Sequence, residues 1–368
     1  MKIAVNGKAL GTTEKTGVVR VALSLIRHIA LLRRDFVLEL LIPGAEAVAF
    51  DLPENVKVRC FGAAFWRNSL TRSLWEQAIL PWHLRRQGDY ALLLNLTNSA
   101  PVLISPQAPQ ILLVHDVGFQ NKQWFSNLFS SYLQWVVTSA AKQGVRFVTV
   151  SQTSAQQLSE MLPQIGAITV VPNDADEPPA LVGAKRLPYR YGLFIGSLNP
   201  RKNISGAILG FQKFSAAMPD EVRLHIVGGE NGIYAALPEN LREFKNVVFQ
   251  GFVDEAEKWA FLKGAEFLLL PSFLEGFGLP VLEALKIGTP VVASDIPVFR
   301  ELFDDAIEYV DPHSPEDIGR GIREIMSNQD KRIRKMARGQ QIAKHFSWPL
   351  AAQKYVELIE EMATGNKL

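Results

Sequence analysis

Short apolar runs rich in valine, isoleucine and leucine alternate along this chain with longer stretches of helical period. Residues 2–5, 37–42, 56–60, 91–95, 111–114, 147–150 and 168–171 predict strands in the first half. Residues 191–195, 223–227, 247–250, 266–270, 289–293 and 306–310 predict strands in the second. Between them, 17–32, 152–162, 204–217, 255–264 and 315–326 read as amphipathic helices, a further helix opens at Leu279-Pro280, and 348–362 reads as the last. Such alternation buries parallel sheets between layers of helices, so the expected fold is α/β with two doubly wound sets. The sets meet in the stretch DADEPPALVGAKRLP, residues 174–188, which is rich in proline and acid and has no periodicity. We therefore expect a first domain over 1–175, a linker over 176–188, a second domain over 189–347 and a terminal helix within 348–368. Doubly wound sheets bind ligands at the carboxyl ends of their strands. If those ends face each other, the site lies in a central cleft.

Composition narrows the class. A chain of 368 residues suits two domains. Its 48% hydrophobic and 21% charged content is ordinary for a globular protein. No apolar run approaches the ~18 residues of a membrane span, and the chain enters a strand at once, so a signal peptide is not expected. Cys60 is the only cysteine, which excludes an internal disulfide framework and a thiolate metal cluster. These features lead us to expect a cytoplasmic protein. A net charge of +2 argues against bulk binding of nucleic acid.

The candidate chemistry concentrates in 270–296, LPSFLEGFGLPVLEALKIGTPVVASDI. A strand runs into Pro271-Ser272, then Glu275-Gly276-Phe277-Gly278 forms a two-glycine turn before the helix at Leu279. Glycines let backbone N–H groups approach a ligand, and the helix start favours an anion. Glu275 and Glu283 are acceptors suited to the hydroxyls of a sugar or ribose. Placed in the helix's first turn, Glu283 would be favourable without any ligand. Glu275, ahead of the helix, has no such structural reason.

Other candidates also follow strands. Gly11 and Gly17 lie in the loop after the first strand, either approaching a phosphate or simply connecting; the loop lacks a G-x-G-x-x-G fingerprint. His115-Asp116 offers an imidazole for a sugar hydroxyl or for acid–base work, or else a local loop contact. With six histidines scattered along the chain, a metal site is not expected there. The string Gly196-Ser197 to Arg201-Lys202-Asn203 sets two cations at a strand–helix junction, which suits a diphosphate; the alternative is a solvated pair. Asp174 and Asp176 form a D-x-D pattern beside two prolines and read as a solvated acidic linker rather than as metal ligands. Trp66, Trp75 and Trp82 share their segment with Arg67, Arg72, Arg85 and Arg86 against one acid, Glu76. That segment could dock on an anionic membrane surface, or the tryptophans could pack inward.

The string PSFLEGFGLPVLEALKIGTPVVASDIPVFREL resembles the retaining glycosyltransferases of the GT-B fold, specifically the large family four, whose glutamate–seven residues–glutamate motif is matched by Glu275 and Glu283. The resemblance extends over nearly the whole chain through NGKALGTTEKTGVVR, LWEQAILP, LLVHDVGF, FVTVSQTSAQQL, VVPND, FIGSLNPRKN, VVFQGFV and FSW. The HD and PRKN versions look most like bacterial mannosyl- and rhamnosyltransferases of surface-polysaccharide synthesis. The resemblance implies two Rossmann-like domains, acceptor-binding then nucleotide-sugar-binding, with the last helix crossing back to the first. It implies that Glu275 accepts from donor-sugar hydroxyls, and that Gly276, Phe277, Gly278 and Leu279 offer backbone to sugar and phosphate. Glu283 would meet the ribose, Arg201 and Lys202 the diphosphate, His115 the sugar near C6, Gly17 the phosphates, and Val253 the base. Two positions depart from the family: Ser197 stands where many members have arginine, and Pro172-Asn173-Asp174 replaces the usual PNG.

The activity so implied is a retaining hexosyl transfer from a nucleoside-diphosphate sugar, GDP-mannose first, with no cofactor and no divalent metal required. The acceptor would be a glycan or polyprenyl-diphosphate-linked; apart from the resemblance, the basic and aromatic segment 65–86 is the candidate for peripheral contact with the inner membrane, against inward packing of its tryptophans. A rhamnosyl- or glucosyltransferase using a dTDP- or UDP-sugar is the near alternative, and a catalytically idle nucleotide-binding module is the alternative of another class.

Overall fold

The computed structural model describes residues 1–10, 16–44, 51–62, 66, 68–197, 199–216, 222–228, 237–238, 241 and 244–365. These divide into two compact units, Met1–Asp174 with Ser347–Leu368, and Ala175–Phe346. The expected α/β class holds in both. All thirteen strands predicted above are present, with ends moved by two residues at most.

The first unit is a seven-stranded sheet of β1 (Lys2–Asn6), β2 (Val37–Pro43), β3 (Val56–Phe61), β4 (Leu92–Asn95), β5 (Gln110–Val114), β6 (Arg146–Thr149) and β7 (Ile168–Val170). Its strand order is β3-β2-β1-β4-β5-β6-β7, with every neighbouring pair parallel. The order reverses between β1 and β4, which is the topological switch point of a doubly wound sheet. Its helices are α1 (Gly17–Leu32), α2 (Ser69–Leu74), a π-helical turn (Trp75–Ile79), α3 (Leu80–Gln87), α4 (Asn127–Lys142) and α5 (Gln152–Met161). The sequence pattern did not mark α2, α3 or α4. In α4 the apolar residues run round the helix, leaving Leu128 and Trp135 exposed while Leu133, Val136 and Val137 are buried, so no clean stripe appears. One core lies under α4 and α5, where Leu112, Val114 and Phe147 meet Leu133, Val137 and Leu158. The other joins Ala4, Leu41 and Leu93 to Trp75, Leu80 and Leu84.

The second unit is a six-stranded parallel sheet of β8 (Arg190–Ile195), β9 (Val222–Val227), β10 (Val247–Gly251), β11 (Phe267–Leu270), β12 (Val291–Ser294) and β13 (Glu308–Val310). The order β10-β9-β8-β11-β12-β13 repeats the logic of the first and reverses between β8 and β11. Its helices are α6 (Ile204–Ser215), α7 (Glu255–Gly264), α8 (Leu279–Ile287), α9 (Pro297–Phe303), α10 (Pro315–Ser327) and α11 (Gln329–Ala343). Helices α6 and α10 cover one face, and Phe194, Phe211, Phe214, Phe267, Ile318 and Ile322 fill the space beneath them. Gly210 permits that close approach, because a Cβ there would stand 2.3 Å from Ile318.

The last helix, α12 (Trp348–Ala363), packs on α1 and β4 of the first unit. Residues 171–189 are irregular, but they are stitched down by Lys185 N donating to Ala260 O and Lys286 Nζ donating to Ala175 O.

Candidate active site

The strongest candidates converge at the switch point of the second unit, where the loops after β8 and β11 lie side by side. After β8, Asn199 Oδ1 accepts from Arg201 N at 3.0 Å and starts a 3-10 turn over Pro200–Lys202. Asn203 then adopts a left-handed backbone, φ 54°, and caps α6 by accepting from Gly206 N. Its side-chain amide donates to Pro271 O and Pro312 O at 3.0 and 2.7 Å, and Phe273 N donates to Arg201 O at 2.8 Å. The two loops are thereby locked in register.

That lock brings Lys202 Nζ to 2.6 Å from Glu275 Oε1, which also accepts from Ser272 Oγ at 2.7 Å. Arg201 Nη1 stands 3.8 Å from Glu275 Oε2 and donates to Leu274 O. Both Lys202 and Glu275 are buried. Burial alone would push the Glu275 carboxyl up. The Lys202 and Arg201 charges, with the hydrogen bonds from Lys202 and Ser272, outweigh it and hold the group below the usual carboxylate range. One reading from sequence is corrected here: Glu275 does have structural partners. For Lys202 the alternative of a solvated surface cation falls away, because it is buried.

The two-glycine turn is shaped by packing. Gly278 has φ +94°, and a Cβ on it would meet Phe299 at 2.6 Å, so glycine is required on both counts. Phe277 is buried against Phe346 at a centroid distance of 5.4 Å, so any part it plays toward a ligand comes from its backbone. Gly276 is buried, while Leu279 opens α8 half-exposed. Glu283 lies one residue past the first turn of α8, not inside it. Its burial is supported instead by Lys258 of α7, whose Nζ is 2.8 Å from Glu283 Oε1 and 2.5 Å from Glu255 Oε1. Helix-dipole stabilisation therefore does not account for Glu283; an ion pair does.

Ser197 is exposed after β8, and Val253 is half-buried after β10; neither joins the Lys202–Glu275 cluster through a side-chain contact. Lys258 and Ser272 hold Glu283 and Glu275 without having been given a part from sequence, and Asn203, read only as the end of the cation string, locks the two loops. Only the polar character of a residue at a strand–helix junction hinted at Asn203 and Ser272, and nothing local marked Lys258.

In the first unit, His115 directly follows β5 and is buried. Its Nε2 lies 3.1 Å from Leu96 O, and a carbonyl only accepts, so Nε2 carries the proton. Its backbone N donates to Asn98 Oδ1 at 2.7 Å. Asp116 accepts from Gly118 N. Gly17 is exposed at the start of α1, capped by Thr16, while Gly11 lies outside the described residues.

Asp174 is buried and accepts from Trp348 N at 3.3 Å, so it is not the solvated linker acid expected from sequence. Asp176 is half-buried. Among the described residues no group of three or more His, Cys, Asp or Glu is gathered that could hold a metal. Trp75 is fully buried, Trp66 packs against its cluster, and Trp82 is exposed with Arg86 5.1 Å over its ring. Arg72 and Arg85 donate to Trp66 O and Ser105 O, and Arg67 lies outside the described residues. Among the described residues no helix is long and apolar enough to cross a membrane.

Residues 183–341 match the family described as glycosyl transferases group 1. O-antigen chain mannosyltransferase B of Escherichia coli is 33% identical over 165 residues, 43% of this chain and 42% of that protein. O-antigen chain mannosyltransferase RfbU of Salmonella typhimurium is 26% identical over 244 residues, 65% of each. The chain thus spans less than two thirds of these relatives. The sucrose-phosphate synthase of Thermosynechococcus elongatus shares the fold with a TM-score of 0.80 and 16% identity, covering 100% of both chains. The stretch that matches the glycosyl transferases group 1 family, residues 183–341, is nearly the whole of the second unit.

Proposed function

We propose that the protein is a retaining glycosyltransferase that moves a hexose, mannose from GDP-mannose in the first instance, to a glycan or polyprenyl-diphosphate-linked acceptor in cell-surface polysaccharide synthesis. The observation that carries this reading is the buried Lys202–Glu275 pair at the switch point of the second unit, 2.6 Å apart beside Arg201. An ammonium has three donors, so Lys202 can bind a diphosphate oxygen while it holds Glu275. Two fixed cations beside the start of α8 would stabilise the charge that develops on a departing nucleoside diphosphate. Ionised Glu275 is an acceptor for donor-sugar hydroxyls, and buried Glu283 is one for the ribose. His115, with Nε2 donating to Leu96 O, would contact the donor sugar near its C6.

With cations in this role the chemistry would need no divalent metal. The mannosyl donor is supported by the names of the Escherichia coli and Salmonella relatives. Exposed Trp82 with Arg86 beside it suits peripheral contact with an anionic membrane face. The test is nucleotide release from GDP-mannose, UDP-glucose and dTDP-rhamnose, with and without a polyprenyl-diphosphate-linked acceptor, in EDTA. We expect acceptor-dependent release, fastest with GDP-mannose. Binding without turnover of any of the three would favour an idle module, and activity lost in EDTA and restored by Mn²⁺ would overturn metal independence.

A further inference from the structure

The first unit carries a lysine–glutamate pair of its own, with Lys8 half-buried after β1, one of the two switch-point strands, and Glu76 buried on the crossover between β3 and β4. Lys8 follows β1, and Glu76 sits fully buried on the π-helical turn Trp75–Ile79. Their charges are 2.8 Å apart. Two hydroxyls close the arrangement. Lys8 Nζ donates to Ser99 Oγ and Tyr132 Oη at 3.2 and 3.1 Å, and both hydroxyls donate onward to Glu76 Oε2 at 2.6 and 2.7 Å. Asn6, the last residue of β1, donates to Glu76 Oε1 at 2.7 Å and to Asn95, the last residue of β4, at 3.0 Å. Burial would push the Glu76 carboxyl up, and Lys8 with the hydroxyl hydrogen bonds overrides it, so the pair is ionised.

The next residue of the π turn extends the clamp. Gln77 Oε1 accepts from Val102 N and Leu103 N at 2.8 and 3.0 Å, and its Nε2 donates to Ala100 O at 2.9 Å. Glu76 and Gln77 thus pin the loop after β4 from Ser99 to Leu103. That loop in turn holds His115, through Leu96 O on the imidazole Nε2 and Asn98 Oδ1 on the backbone N. An ion pair withdrawn from water is a poor source of net stability compared with an apolar core. A π turn inserted between two α-helical segments is a register change commonly found at functional sites.

We infer that Glu76 is a positioning residue: with Lys8 and Gln77 it fixes the loop after β4 and thereby the imidazole of His115 at the end of β5. The inference rests on the proposed transferase reading for its effect on turnover, but not for its effect on His115.

The test uses the full chain with Glu76→Gln and with the pair Glu76→Gln and Lys8→Met, which leaves no unpaired buried charge should the single variant fail to fold. His115 ring resonances are followed by NMR, alongside kcat with GDP-mannose and affinity for GDP. We expect displaced His115 resonances and kcat lowered tenfold or more, with GDP affinity within twofold of the parent. A folded double variant with unmoved His115 resonances and unchanged kcat would overturn the inference. So would a parallel loss of kcat and GDP affinity, which marks general damage. A parent protein that turned over no nucleotide sugar would overturn the transferase reading, and the His115 resonances would still decide the clamp.

Discussion

Replacing Glu275 with glutamine keeps the shape of the second unit's site and removes one charge. Lys202 and Glu275 have side chains only 10% and 5% exposed and meet at 2.6 Å. Breaking a buried pair from one side costs about 3–5 kcal/mol, because the remaining ion stays out of water. The Ser272 hydroxyl keeps an acceptor in the amide, which lowers the figure; Arg201, 3.8 Å away, is then a like charge beside Lys202 with no carboxylate between them, which raises it. We expect a loss of roughly 3 kcal/mol, or about 6–12 °C in the melting of a unit this size. Calorimetry at neutral pH and low salt measures it. Adding Lys202→Met removes both charges and should recover all but about 1 kcal/mol. The folded carboxyl lies below its ordinary value, so its stabilisation is present above that value and is lost as pH falls through the lower one. The gap between parent and variant should accordingly persist at about pH 5 and close only below about pH 4. A single variant within about 1 kcal/mol of the parent, or a double variant no better than the single, would refute this account of the pair.

Three further expectations are independent of catalysis. His225 lies among Tyr189, Tyr191 and Phe261, with Nε2 buried and unpartnered among the described residues; burial and the charges of Arg223 and Lys185 pull it down to about 4 from 6.5. Between those values the unfolded chain binds more protons, so stability should fall as pH drops through the window, and His225→Leu should flatten that slope in melts at pH 7 and pH 4.5. Asp174→Ala removes an acceptor from Trp348 N and should cost about 1 kcal/mol, with faster hydrogen exchange confined to the first turn of α12; unchanged exchange there would dismiss the capping role. Gly278→Ala forces a Cβ onto Phe299 at φ +94° and should cost roughly 2–4 kcal/mol by chemical denaturation, whereas a neutral result would show that the turn relaxes freely.

Strands were legible because a parallel sheet buried on both faces writes itself as continuous apolar runs; Leu268, Leu269 and Leu270 of β11 are wholly buried. Helices were legible where one face is buried, as in α1 and α10, and lost where apolar residues run around the helix, as in α4. The location of Glu275, Lys202 and His115 after strands also followed from the alternation. Their partners did not. Lys202 and Glu275 are 73 residues apart, and the contacts of Glu76 reach back 70 residues to Asn6 and forward 56 to Tyr132. In sequence Glu76 was a lone acid in a basic aromatic segment; folded, it is the centre of that segment's polar core. Asp174 misled in the same way, because its partner at Trp348 is supplied by a helix 174 positions away.

The central claim is that Glu275 serves a nucleotide sugar. GDP release from GDP-mannose, measured with and without a polyprenyl-diphosphate-linked acceptor for the parent and for Glu275→Ala, addresses it most directly. We predict acceptor-dependent release by the parent and release lowered at least about a hundredfold in the variant, from the lost contact to the donor sugar, with GDP binding largely kept because Lys202 still meets the diphosphate. A variant that releases GDP as fast as the parent would contradict the claim.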